Sequence, residues 1–120
     1  MHSRKEIMHK DFTENVRRLF VKPDKLEKTL RILHAVLGIA TEAGELGDAA
    51  KKHWIYNQPL DVENIKEEIG DLLFYTQALA DECGLTLLEC VDTNIQKLKQ
   101  RYPEGYSDFH AKERLDKQDG

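Results

Sequence analysis

Apolar residues recur at intervals of three and four along almost the whole chain. This spacing marks one face of an α-helix, and no stretch alternates with the period of two that a half-buried β-strand requires. The pattern therefore predicts an all-α fold, in which short connections make neighbouring helices antiparallel. We expect a bundle of four to five helices built around a central helical hairpin.

Capping signals place the outer helices of this bundle. The first helix is predicted to end at Phe20, because Pro23 cannot continue it. Its start has two candidates, since Ser3 and Asp11 are each followed three residues later by a glutamate, as in a capping box. Another capping box opens a fourth helix, predicted over residues 86–101.

The second and third helices form the central hairpin. Asp24 is predicted to cap the second helix, which ends within residues 52–57 where the apolar pattern breaks. Asp61 is predicted to cap the third helix, over residues 62–83, and Gly84 closes it.

Length and composition suit one globular domain. The chain has 120 residues, of which 40% are hydrophobic and 33% charged. We interpret residues 1–120 as a single domain, with residues 107–120 as a tail of uncertain order.

Charge and hydropathy exclude two classes of partner. The formal net charge of -4 argues against nonspecific binding to nucleic acid, which depends on clustered Lys and Arg. The longest uncharged run, residues 32–41, is about half the length of a membrane span. No apolar segment of a signal peptide follows the charged amino terminus. We expect a cytoplasmic protein with no nucleic-acid or membrane partner.

Two acidic pairs stand inside the apolar stretches of the hairpin: Glu42 with Glu45, and Glu68 with Asp71. Residues three apart share one face of a helix. Counted from the expected turn at ~1.5 Å per residue, the two pairs are level to within about 3 Å. Oxygen ligands suit Mg²⁺ or Mn²⁺, so the pattern predicts a metal site made from these four carboxylates.

The same acids could instead belong to a solvated polar stripe, and periodicity alone leaves this interpretation open. Such a stripe usually interleaves lysine with glutamate, yet no Lys or Arg lies between Arg31 and Lys51. Like charges packed across a hairpin would repel strongly without a cation. Neither pair contains a Glu-x-x-His sequence, which argues against a di-iron site.

Further residues that could contact a substrate lie on the third and fourth predicted helices. Tyr75 lies one turn beyond the second acidic pair, and Asn94, Lys97 and Arg101 form a polar and basic line on the fourth helix. A metal beside fixed positive charge is what a polyphosphate substrate requires. The basic line is also compatible with an ordinary solvated face.

Two residues near the hairpin turn are further candidates for substrate contact. They are Lys52 and Trp54, at the predicted end of the second helix. Trp54 could stack on a base, or it could pack in the core or anchor the loop.

Three segments together resemble the MazG-type all-α nucleoside triphosphate pyrophosphohydrolases. They are residues 34–46 (HAVLGIATEAGEL), 67–75 (EEIGDLLFY) and 94–103, which looks like the closing motif of that family. The resemblance covers residues 24–106. It implies Mg²⁺-dependent hydrolysis of nucleoside triphosphates, chiefly deoxynucleotides, between the α and β phosphates, with Mn²⁺ as a substitute metal. It also implies a homodimer or homotetramer.

Carried onto this chain, the resemblance assigns a role to each candidate residue. The implied metal ligands are Glu42, Glu45, Glu68 and Asp71; the implied triphosphate contacts are Asn94, Lys97 and Arg101; and Tyr75 is an implied nucleotide contact. Many members of the family carry a further glutamate, assigned as the base, where this chain has Thr41. A threonine hydroxyl is no general base near neutral pH. We therefore expect a metal to lower the pKa of the attacking water, which Glu42 or Glu45 orients or deprotonates.

Two other functions stay open at this point. The first is a related bundle hydrolase that acts on another pyrophosphate compound, such as phosphoribosyl-ATP. The second is a non-catalytic helical adaptor that uses the acids as a structural cation site.

Overall fold

The computed structural model describes residues 4–20 and 27–104, with side chains of the first helix from residue 10 onward. These residues form four helices and no β-strand: α1 (Arg4–Leu19), α2 (Lys28–Trp54), α3 (Val62–Glu82) and α4 (Leu87–Arg101). The predicted all-α fold class is confirmed. None of these helices is both long and apolar enough to cross a membrane.

The chain divides into two compact units. The first, Met1–Gly84, holds α1, α2 and α3, and the second, Leu85–Gly120, holds α4. The interpretation of residues 1–120 as a single domain stays a prediction.

Local capping chemistry fixes the ends of α3 and the start of α4 where the sequence predicts them. The Asp61 side chain accepts a hydrogen bond from the Asn64 backbone N–H at 3.0 Å, and this caps α3. Gly84 follows α3 with φ of +68°, a left-handed conformation that costs glycine little. Thr86 and Glu89 exchange both hydrogen bonds of a capping box at the start of α4.

The start of α2 differs from the prediction. The helix begins at Lys28, and Glu27 precedes it with an extended backbone (φ -65°, ψ 156°). A helix capped at Asp24 would need Glu27 in a helical conformation, so the predicted capping box does not form. Asp24 itself lies outside the described residues.

Helices α2 and α3 form the predicted central hairpin, and two contacts fix its register. The Arg31 guanidinium Nε donates to Glu82 Oε1 at 2.7 Å. The Tyr75 ring lies so close over Gly38 that an added Cβ would be 2.3 Å from Tyr75 Cδ1. Gly38 is seven residues after Arg31, and Tyr75 is seven residues before Glu82. The two antiparallel helices therefore keep the same register from one contact to the other.

Helix α1 packs against α3, and its carboxyl-terminal end supplies part of a small core. Val16 is fully buried and Phe20 is 8% exposed, and they cluster with Ala35 and Ala78 of the hairpin. The apolar spacing also places Leu19 on the inner side of α1, but its side chain is 59% exposed. Phe20 lies in the core instead, where its ring stacks on the His34 ring with centroids 4.9 Å apart.

Candidate functional site

The register of the hairpin brings the acidic pairs together. Four residues beyond the Gly38–Tyr75 contact, Glu42 of α2 comes level with Asp71 of α3. Three residues further on, Glu45 comes level with Glu68. The positions of both pairs along the two helices therefore follow from contacts made one to three turns away.

Three of the four acids converge closely. One carboxylate oxygen each from Glu42, Glu68 and Asp71 lie within 4.8 Å of one another. This span is about twice a metal–oxygen bond of ~2.0–2.6 Å, so the three oxygens are placed to share one cation. Glu45 is outside this closest group of three. We refer to Glu42, Glu45, Glu68 and Asp71 together as the acidic cluster.

The acidic cluster strongly perturbs one of its members. Its neighbours raise the pKa of Glu68 from 4.5 to about 8. The largest cause is hydrogen bonding with the Glu42 carboxyl, followed by burial of the Glu68 side chain and then by the nearby Glu45 carboxyl. Three carboxyl groups in this space therefore disfavour full ionisation, which is the electrostatic condition that a divalent cation relieves.

The donor set also suits a metal of the Mg²⁺ type. The Oε2 atoms of Glu42 and Glu68 are buried and have no hydrogen-bond partner among the described residues. Buried polar atoms are normally satisfied, so two buried carboxylate oxygens without partners indicate a missing ligand. Oxygen-only coordination is typical of Mg²⁺ and Mn²⁺. The residues present therefore fit the ion that the sequence predicts, and their role as ligands stays a prediction.

Tyr75 of α3 packs against α2 beside the acidic cluster. Its ring fills the space over Gly38, one turn from the acidic cluster. The same ring packs edge to face against His34 and Phe74, with centroids 6.0 and 5.3 Å apart. These contacts fix the ring, and its predicted contact with a nucleotide is not tested by them.

Thr41 is engaged by its own helix. Its hydroxyl donates to the Leu37 carbonyl at 2.8 Å. A hydroxyl that donates keeps its lone pairs, so the expectation that Thr41 does not activate water stays a prediction.

The candidate residues near the turn lie at the surface. The Lys52 ammonium group pairs with the Asp48 carboxylate at 3.2 Å. The Trp54 side chain is 81% exposed at the last residue of α2, so it is not a core residue. Both residues stay candidate substrate contacts.

The polar and basic line lies on α4, in the second compact unit. Asn94 and Lys97 are exposed, and Arg101 is partly buried in the last turn of the helix. Their contacts with a triphosphate stay a prediction.

A cavity at the turn between α2 and α3 has no counterpart among the features predicted from the sequence. It has a volume of about 340 Å³, and its polar lining consists of Asp48, Lys52, Gln58, Asp61 and Asn64. Only Lys52 among these was singled out as a substrate contact. Asn and Gln at a turn or near the start of a helix are too common to indicate a binding site. The sequence alone therefore did not predict this cavity.

Comparison with known families adds one finding to this geometry. A family model described as the MazG nucleotide pyrophosphohydrolase domain matches residues 31–106. No curated protein and no solved structure matches the chain significantly. The matched segment contains α3, α4, most of α2 and the whole acidic cluster. The chain therefore belongs to the MazG nucleotide pyrophosphohydrolase family.

Proposed function

We propose that this protein is a Mg²⁺-dependent pyrophosphohydrolase of nucleoside triphosphates, chiefly deoxynucleotides. It cleaves between the α and β phosphates and releases a nucleoside monophosphate and pyrophosphate. The observation that carries the proposal is the convergence of the Glu42, Glu68 and Asp71 carboxylates inside a MazG domain. Two of these acids, Glu42 and Glu68, each have a buried oxygen with no hydrogen-bond partner among the residues that the structure describes.

All four acids bind the metal in this proposal, and two of them also act on the attacking water. Glu68 and Asp71 hold Mg²⁺ from α3, and Glu42 holds it from α2. When bound, Mg²⁺ neutralises charge on phosphate oxygens and lowers the pKa of a water molecule. Glu45, at the exposed edge of the acidic cluster, completes the ligand set and, with Glu42, orients the attacking water or accepts its proton.

The residues outside the acidic cluster bind the substrate. Lys97 and Arg101 balance the charge that develops on the departing pyrophosphate, and Asn94 positions the triphosphate by hydrogen bonding. Tyr75 contacts the nucleotide beside the acidic cluster. Lys52 and Trp54 contribute from the turn.

The cellular setting is part of the same proposal. The protein works in the cytoplasm as a homodimer or homotetramer, where it removes unwanted nucleotides or adjusts deoxynucleotide pools. Its partner is a small nucleotide, and its net charge of -4 gives no support for nucleic-acid binding. Mn²⁺ is expected to substitute for Mg²⁺ because it accepts the same oxygen ligands.

Substitution of the acidic cluster tests the proposal. Asp71→Ala and Glu45→Ala are each expected to lower kcat/KM for deoxynucleoside triphosphates by about a thousandfold, because each removes a metal ligand. Steady-state pyrophosphate release checks this, with circular dichroism to show that helicity is retained. Glu67→Ala is the matched control, because Glu67 is an exposed acid on α3 outside the acidic cluster. Turnover at the wild-type rate in either cluster variant would remove that residue from the site.

Substrate competition separates the rival functions. Deoxynucleoside triphosphates should be hydrolysed in preference to phosphoribosyl-ATP when both are supplied. Preferential hydrolysis of phosphoribosyl-ATP would move the protein to the related bundle hydrolases. Binding of Mg²⁺ without any coupled nucleotide binding, measured by calorimetry, would instead favour the adaptor.

A further inference from the structure

The cavity at the hairpin turn has the size of a small-molecule site and a mostly polar lining. Its volume of about 340 Å³ lies within the range typical of ligand pockets, ~300–1,000 Å³. It lies wholly within the first compact unit, between the end of α2 and the start of α3. We refer to this space as the turn cavity.

The turn cavity lies next to the acidic cluster along the hairpin axis. Ala49 lies four residues after Glu45 on α2, and Asn64 lies four residues before Glu68 on α3. Both line the turn cavity, so its near edge is about 6 Å along the hairpin axis from the Glu45–Glu68 level. In the other direction, the Tyr75 ring fills the space over Gly38. A nucleotide whose phosphates lie at the acidic cluster therefore finds room for its nucleoside towards the turn.

Two side-chain amides in the turn cavity are available to a ligand. Gln58 and Asn64 both line it, and neither side-chain amide makes a hydrogen bond within the described part of the chain. A carboxamide offers a donor and an acceptor side by side, which is how Asn and Gln bind the edge of a nucleobase.

The backbone holds Gln58 in place. Its N–H donates to the Lys52 carbonyl at 3.2 Å, and its carbonyl accepts from His53 Nδ1 at 2.8 Å. Asn57, just before it, has φ of +54°, a left-handed conformation that asparagine tolerates and that turns the chain tightly. The side chain of Gln58 is therefore presented from a fixed loop, which suits selective binding.

The remaining polar groups give the turn cavity an excess of acceptors. Asp48 and Asp61 are acceptors when ionised, and each carboxylate keeps lone pairs beyond its existing bond. The only cationic group in the lining, the Lys52 ammonium, is already paired with Asp48. Carboxylate acceptors favour a base that carries an exocyclic amino group, as when Asp or Glu accepts from the cytosine amine.

From these observations we infer that the turn cavity is the base-recognition site of the enzyme, selective for nucleotides whose base bears an exocyclic amino group, with Gln58 and Asn64 binding the base edge. The inference rests on the proposed function, because the phosphates must lie at the acidic cluster. Gln58 and Asn64 act in specificity and take no part in the chemistry. Adenine, cytosine and guanine nucleotides are the favoured class, and thymine and uracil nucleotides are disfavoured.

Steady-state kinetics on five substrates tests the inference: dATP, dCTP, dGTP, dTTP and dUTP. The wild-type protein should show kcat/KM about tenfold or more higher for the best amino-bearing base than for dTTP and dUTP. Asn64→Leu and Gln58→Leu should each reduce this preference by about tenfold, through KM and with kcat nearly unchanged, because base contacts exist in both ground state and transition state. Asn15→Leu, on α1 away from the turn, is the matched control and should leave the preference unchanged.

The outcomes separate the two proposals. Equal kcat/KM for all five nucleotides, a preference for dTTP or dUTP, or an unchanged preference in both variants would each overturn the base-recognition site and leave the hydrolase intact. Absence of turnover with every nucleotide would overturn the proposed function, and this inference with it. Gln58 lies in the loop between the helices, so its variant keeps the test decisive even if Asn64→Leu fails to fold.

Discussion

Glu68 is unusual for a carboxyl, because it is only 7% exposed and its pKa is raised to about 8. In an ordinary protein core such a group would be costly unless it were paired. Here its neighbours are two further glutamates, so the metal-free acidic cluster retains a proton that most carboxyls lose near pH 4.5. Retention of that proton makes the stability of the metal-free protein depend on pH.

The sign of this dependence follows from the two pKa values. Glu68 has a pKa of about 8 when folded and an ordinary value of 4.5 when unfolded, so its contribution to stability is fully present below pH 4.5. This contribution is lost as the pH rises to 8, because only the unfolded chain releases the proton freely. The melting temperature of the metal-free protein in EDTA should therefore fall between these pH values, and Glu68→Gln should flatten the decline. A slope as steep in Glu68→Gln as in the wild type would show that another group is responsible.

At Thr41, the residue type alone allows one prediction about the mechanism. Its identity argues against a general base directly from the sequence, and the structure adds that its hydroxyl donates to the Leu37 carbonyl of its own helix. The elevated pKa of Glu68 needed the structure, because it arises from carboxyls 23 and 26 residues distant in sequence, Glu45 and Glu42. Long-range proximity of this kind leaves no signature in the local pattern.

At the scale of single elements, one of the two contacts that fix the register of the α2–α3 hairpin is especially close. The Tyr75 ring packs directly on Gly38, and a Cβ at that position would lie 2.3 to 2.5 Å from three ring atoms. The same helix carries Gly47, where a Cβ would meet nothing within 4 Å. The Gly38 position therefore has no room for a Cβ, whereas the Gly47 position has.

Alanine substitution should change the free energy of unfolding in opposite directions at these two glycines. Gly38→Ala should lower the free energy of unfolding by about 1–3 kcal/mol, because the Tyr75 ring must leave its position. Gly47→Ala should raise it by about 0.5–1 kcal/mol, because alanine is the better helix former and no contact opposes it. Urea denaturation measures both values. A stabilising Gly38→Ala would mean that the ring does not pack as closely as the structure has it.

Element boundaries could be predicted where the capping chemistry is local. Asp61 and the Thr86–Glu89 box mark the starts of α3 and α4 correctly, because each signal acts within four residues. The start of α2 was predicted wrongly at Asp24, since a matching residue pair is necessary but not sufficient for a capping box. The level placement of the acidic pairs followed from counting residues around the turn, because helix geometry is regular.

At the scale of the whole molecule, apolar side chains remain on the surface. Leu30, Leu33 and Leu37 on α2, and Ile69 and Leu73 on α3, are each 46% to 55% exposed. The three leucines lie at helical spacing and share one face of α2. The helical spacing of the leucines predicts an apolar face, but it does not say whether other helices of the same chain cover that face. An apolar face of this kind is typical of an interface between subunits.

The proposed homo-oligomer accounts for this face. Light scattering after size exclusion should give the mass of a dimer or tetramer for the wild-type protein. The double variant Leu33→Asp with Leu37→Asp should shift the mass towards 13.9 kDa, the monomer, because buried charge disfavours association. Lys28→Asp, at the exposed first residue of the same helix, should leave the mass unchanged. A wild-type protein that is monomeric at all concentrations would contradict the proposed assembly.

The most direct test of the central claim identifies the products of a single nucleotide. The acidic cluster should make turnover depend on added Mg²⁺, and ³¹P NMR of dATP incubated with the protein should show only dAMP and pyrophosphate. EDTA or Asp71→Asn should abolish both product signals. Formation of dADP with orthophosphate, or equal turnover in EDTA, would contradict a Mg²⁺-dependent pyrophosphohydrolase built on Glu42, Glu45, Glu68 and Asp71.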